Sequence, residues 1–207
     1  MGYLGLSEPI EKEDNLFTRL FWPSDHAGEA DSLGQQGFWI CMAVAVVSGF
    51  VLFLQGHTLI ALLTFAFFGL GGMGIREHSV PAAALVAVAY VLDLIAAFLS
   101  GRSPGFFGLV ATVLLIANIR GTWIASKWAK LADPDSFPER LAATWRDRLV
   151  DQLPAQIWPG SRIAFFCIAA LYLFLSVAGT ISLGLRLARS TPPTPSTSQQ
   201  TEVAAPR

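Results

Sequence analysis

Charge is scarce in this chain. Asp, Glu, Lys and Arg make up 14% of its 207 residues, where an ordinary soluble domain carries about 25%. From residue 32 to residue 75 there is no formally charged side chain. A composition that is 53% hydrophobic, with a mean hydropathy of +0.52, excludes a soluble domain of ordinary make-up. Cysteine is rarer still: Cys41 and Cys167 both fall in apolar runs. They read as small apolar fillers, and two cysteines so placed exclude a disulfide framework. The net charge of −1 gives no sign of a nucleic-acid partner.

Chemical motifs are also missing. Zinc ligands must converge to about 2 Å from one ion. Of the three histidines, His26 lies in a polar arm, and His57 and His78 fall at opposite ends of an apolar run. No metal and no cofactor is expected. The Gly-x-Ser-x-Gly string Gly101-Arg102-Ser103-Pro104-Gly105 lies between two apolar runs with no strand before it, so serine–histidine catalysis has no support. The run Gly69-Leu70-Gly71-Gly72-Met73-Gly74 is not read as a phosphate loop, because it lies in an apolar span with no strand before it. The chain is therefore expected not to be an enzyme.

What is present is length of apolar sequence. Uncharged or nearly uncharged runs occupy residues 38–54, 58–75, 80–99, 106–119 and 163–185. A bilayer core about 30 Å thick takes roughly 20 apolar residues per helix. The expected fold is an all-α integral membrane protein with about five transmembrane helices and one amphipathic interfacial helix. Residues 1–37 form a polar, acidic amino-terminal arm and 38–125 a four-helix transmembrane region. Residues 126–160 form an amphipathic segment, 161–189 the fifth span, and 190–207 a disordered Pro/Thr-rich tail.

The boundaries carry local signals. Gln55-Gly56-His57 splits the first long apolar stretch into a tight hairpin, with Thr58 as a candidate N-cap. Ser79 before Pro81, and Ser103-Pro104, each pair a capping hydroxyl with a proline where no N–H is needed. Ser161 is a candidate cap for the last span. The glycines at 69, 71, 72 and 74 let helix backbones approach closely inside lipid. Arg76-Glu77-His78 reads as a solvated polar connector.

The arm does not resemble a secretory signal, which needs a basic start and a cleavage site; insertion is expected to use the first apolar run. Residues 16–22 of the arm either lie on the membrane surface, aromatics at headgroup level, or remain a free tail. Within 126–160, Ser136-Phe137-Pro138-Glu139 fits a capping box. Phe137, Leu141, Trp145, Leu149 and Leu153 then recur every four residues, the mark of an amphipathic helix. An in-plane membrane helix is preferred to a partner-binding one, with Trp128, Trp145 and Trp158 suited to the interface.

Loop parity for five spans puts ten basic residues on one side: Lys12, Arg19, Arg76, Arg120, Lys127, Lys130, Arg140, Arg146, Arg148 and Arg162. Arg102, Arg186, Arg189 and Arg207 fall on the other. The positive-inside rule then places the amino terminus in the cytoplasm and the carboxy terminus outside.

Few polar residues lie at membrane depth. Asp93, in Val91-Leu92-Asp93-Leu94-Ile95, is the foremost, with Asn118 and Arg120 as its candidate companions. A carboxylate in a span costs a few kcal/mol and is usually turned inward. It serves as hydrogen-bonded helix glue, as an ion or proton site, or as a water-exposed group near the outer surface. Depth argues against a tight Asp93–Arg120 pair: the two lie near opposite ends of antiparallel spans, about 12 Å apart along the normal.

Two stretches resemble a helix pair found in small multi-pass bacterial inner-membrane proteins of unassigned function. They are Gly74-Ile75-Arg76 to Ser79 with Ala82-Ala83-Ala84, and Asn118-Ile119-Arg120-Gly121-Thr122-Trp123. The resemblance covers about residues 57–128. It departs in the connector, where the pattern would have a second basic residue. It implies a bacterial inner (plasma) membrane location and a paired-helix unit, and carries no activity.

Three functions are weighed. The first is a non-enzymatic accessory, assembly or scaffold subunit. The second is a subunit of a small oligomeric transporter or channel using Asp93. The third is a lipid-acting enzyme drawing on Arg76, Glu77 and His78. The partners expected are the lipid bilayer and either a membrane-protein partner or further copies of the chain.

Overall fold

The computed structural model describes residues 27–103, 105–131 and 144–190. Its main helices are α1 (Ala27–Leu54), α2 (Thr58–Arg76), α3 (Val80–Leu99) and α4 (Gly105–Leu131). A short α5 (Trp145–Asp147) runs through a π turn (Arg148–Gln152) into α6 (Leu153–Ser190). There is no strand among the described residues. Five helices are long and apolar enough to cross a membrane. Inside lipid every backbone N–H and C=O needs an internal partner, and uninterrupted helices supply it.

Two turns are closed by glycine. At Gly56, with φ of 81°, the His57 N–H bonds Leu52 O at 3.0 Å and the Gly56 N–H bonds Phe53 O at 2.9 Å. Gly101 does the same, with φ of 71° and Arg102 N–H on Ala97 O at 3.0 Å. Both are Schellman motifs, whose left-handed residue favours glycine. The turn after α2 has the same pattern with His78 at the left-handed position, φ 56°.

Several expected boundaries move. α1 starts at Ala27, well before residue 38, because hydropathy marks only the apolar part of a helix that continues past it. Thr58 is the first helical residue and not the cap; His57 holds that place, with no side-chain cap bond. Ser79 does stand at the N-cap of α3, yet its hydroxyl makes no cap bond. Ser161 lies inside α6, because the chain enters that helix at Leu153 without a break. Residues 16–22, Pro104, the capping box at 136–139 and the tail from 191 lie outside the described residues.

The five long helices pack as a ring in the order α2, α1, α4, α3, α6, with α2 also touching α3 across it. α2 is the most enclosed span, and its glycines are the reason. A Cβ on Gly71 would collide with Val86 of α3. On Gly72 it would come within 2.9 Å of the Cys41 Cβ of α1, and on Gly74 it would collide with Trp158 of α6. Gly69 meets nothing within 4 Å. Trp158 is accordingly buried in the core, not at an interface as its flanking sequence suggests. Cys41 is buried as expected, whereas Cys167 faces outward.

Candidate functional site

α3 is apolar along its length except at Asp93, and α6 is apolar beside it except at Tyr172, Ser176 and a few more distant hydroxyls. Residues four apart share one face of a helix, so Tyr172 and Ser176 meet the carboxylate together. The Tyr172 hydroxyl donates to Asp93 Oδ2 at 2.6 Å and the Ser176 hydroxyl reaches Oδ1 at 3.4 Å. A donor bound to an ionised carboxylate gives a stronger bond than a neutral pair. The tyrosine is held rigidly for this task. Its ring stacks on Phe67 at 4.5 Å and meets Phe68 edge-on at 5.8 Å. Phe67 stacks in turn on Phe165 at 5.8 Å, and Phe165 lies against Trp158 at 5.4 Å. These rings fill the bundle between Asp93 and the end where α2 finishes.

On its other side Asp93 faces a cavity of about 740 Å³. Val47, Val51, Leu63 and Leu175 are among its apolar walls; Asp93, Thr64, Tyr172 and Ser176 are polar residues deep within it. Gln55, Ser100 and Arg102 stand at the turns that bound its mouth. Ser48, Thr64 and Asp93 each lie about six residues, roughly 9 Å, from that end of their helices. The pocket is thus an open recess toward the end of the bundle that carries the Gly56 and Gly101 turns, and Val47, Val51, Ile60 and Leu175 of its wall are also exposed.

The other two members of the expected polar trio are elsewhere. Asn118 is buried near the end where α1 begins, with its side chain against Gly37 and its Oδ1 accepting from the Thr122 hydroxyl at 3.0 Å. Arg120, partly buried, is on α4 beyond it. The structure therefore does not bring Asn118 and Arg120 to Asp93. The reason is antiparallel geometry, since α3 and α4 run in opposite directions and place these positions near opposite ends.

A second polar cluster was not foreseen. Arg76, expected to be a solvated connector charge, is buried and pairs with Asp151 in the π turn, Nη2 to Oδ1 at 2.8 Å. Docking of Trp158 under Gly74 brings that turn across the end of α2. Gly34 of α1 faces this pair from the other side, where an added Cβ would lie 3.8 Å from Ile75 O and 3.9 Å from Arg76 Nη1. At the same end Arg146 lies 5.8 Å from the Trp39 ring centre and Lys127 lies 3.4 Å from that of Trp123. His57 and His78 stand at opposite ends of α2.

The polar partners of Asp93 had only a weak signal, since α6 carries several hydroxyls and the sequence does not say which of them face α3. The Arg76–Asp151 pair had none, since the two residues are remote in sequence and each is unremarkable alone. In comparison with known proteins, no family model, no curated protein and no solved structure matches this chain.

Proposed function

We propose that the chain is a non-enzymatic multi-pass membrane protein and a subunit of a small oligomeric transporter, with Asp93 as the residue that meets the transported solute. The observation that carries this reading is the recess in front of Asp93. A carboxylate used only as glue would be enclosed by its partners, whereas this one accepts from Tyr172 and Ser176 and still borders open volume. The aromatic column from Tyr172 to Trp158 occupies the bundle beyond the recess. Passage across the membrane therefore requires either movement of α6 against α2 or a pathway formed between copies of the chain.

The orientation belongs to the same proposal. Arg76, Arg120, Lys127, Arg146, Arg148 and Arg162 are among the basic residues of one side and Arg102, Arg186 and Arg189 among those of the other. The positive-inside rule then turns the recess outward, with the amino terminus cytoplasmic and the carboxy terminus outside. The resemblance of residues 57–128 supports a bacterial inner membrane.

The test is flux of alkali cations, protons and an organic ammonium ion into liposomes holding the purified chain, beside the Asp93→Asn variant. Flux that depends on Asp93 is expected. Flux that is unchanged by the substitution, or no flux from a chain that purifies in constant proportion with another protein, would return the molecule to the accessory or scaffold role.

A further inference from the structure

We infer that the recess binds an amphiphilic organic monocation, its charged head against Asp93 and its apolar body along α1 and α2. This rests on the reading of the Asp93 recess as the working site and names the class of solute it takes. Charge is the first argument. Asp93 lies at membrane depth, where an unneutralised carboxylate is costly. Its hydrogen-bond partners among the described residues are two hydroxyls and no cationic side chain. A bound cation supplies the missing positive charge.

Size and lining decide what kind of cation. A volume of about 740 Å³ falls within the range of roughly 300–1,000 Å³ typical of sites for small organic ligands. A hard metal ion such as calcium takes about six to eight oxygens in its first shell. Here a single carboxylate and the hydroxyls of Ser48, Thr64, Tyr172 and Ser176 stand among Val47, Val51, Leu52, Ile60, Leu63 and Leu175, and the Tyr172 and Ser176 hydroxyls are already bonded to the carboxylate. Those side chains are suited to a hydrocarbon body and offer nothing to a hydrated ion. The mouth sets the charge count. Arg102 stands there and repels a second positive group at the outer end of the ligand, while one buried head remains paired with Asp93.

The pre-set geometry favours binding. Tyr172 is locked by Phe67 and Phe68, so the carboxylate it holds does not have to be ordered when the ligand arrives.

The experiment is equilibrium dialysis of the full chain in lipid nanodiscs with tetraphenylphosphonium, beside neutral triphenylphosphine oxide. Saturable binding of the cation, and none of the neutral compound, is expected. Asp93→Asn should weaken binding about tenfold or more. Asp93→Glu, which keeps the charge, should retain saturable binding, which separates loss of the site from loss of the fold. Tyr172→Phe should weaken binding by a few fold, about the worth of one hydrogen bond. Equal uptake of both compounds, or wild-type affinity in a folded Asp93→Asn protein, would overturn the inference. Absence of tetraphenylphosphonium binding alongside Asp93-dependent alkali-cation or proton flux would overturn it while leaving the transport reading in place. Binding without any flux would keep the site and remove the transporter.

Discussion

Removing either partner of the Arg76–Asp151 pair should destabilise the protein severely, and replacing both should not. The nitrogen and oxygen are 2.8 Å apart and the side chains are 5% and 13% exposed, so water screens the pair very little. Breaking a buried ion pair from one side costs about 3–5 kcal/mol, because the remaining charge loses its opposite charge while still held away from water. An exposed pair would be worth about 0–1 kcal/mol. Asp151 also sits in the π turn that carries the chain into α6. Loss of the pair should therefore loosen the seat of Trp158 under Gly74 as well as removing the contact between opposite charges. Arg76→Met and Asp151→Leu alone should each fall in that range. Arg76→Met with Asp151→Leu should cost clearly less than the two single changes added together, since no charge is then stranded. The protein carries its own reporter: Cys41 is buried, and in a Cys167→Ser background a thiol-reactive fluorophore reads only the unfolding that exposes it. Denaturant titrations followed by that signal give the four free energies of the cycle. Single variants within about 1 kcal/mol of the parent would refute the reasoning, for the pair would then be behaving as a surface pair.

The glycines of α2 make a sharper contrast. Gly74→Val should cost about 1–3 kcal/mol by driving a side chain into Trp158 and Ala82, whereas Gly69→Ala, which meets nothing within 4 Å, should be neutral or stabilising through helix propensity; the same thiol assay ranks them. Gly37→Ala should destabilise because its Cβ would run into the Asn118 side chain, and Asn118→Ala should rescue it by vacating that space, which a double-mutant cycle measures. In a cysteine-free background on intact cells, a cysteine at Ser103 should react with a membrane-impermeant maleimide, whereas one at Glu77 should react only after the membrane is opened. The reverse pattern would invert the proposed orientation.

The helices were legible in the sequence because lipid imposes a one-dimensional rule. A stretch that crosses it must be apolar and long, and must bond its own backbone. Hydropathy alone therefore placed the five long helices, and Gly56 marked a turn because the left-handed position there favours glycine. The close-packing role of the glycines in α2 was also readable, since small residues are what helix contacts in lipid use. Asp93 stood out for the same reason, as a charge where charge is costly.

Rotation and neighbour order were decided only by the tertiary structure. An apolar side chain is as comfortable against lipid as against another helix, so these spans are apolar right round, and periodicity does not tell which face turns inward. That is why Trp158 read as interfacial and proved to be core, and why Arg76 read as solvated and proved to be buried. Asn118 and Asp93 could be named as polar, but only the ring order of the helices sent one to Gly37 and the other to Tyr172 and Ser176. Crossing a membrane demands a minimum apolar length and a self-bonded backbone, and both are written in each segment; the contacts between helices, which set the site, depend on packing that no single segment encodes.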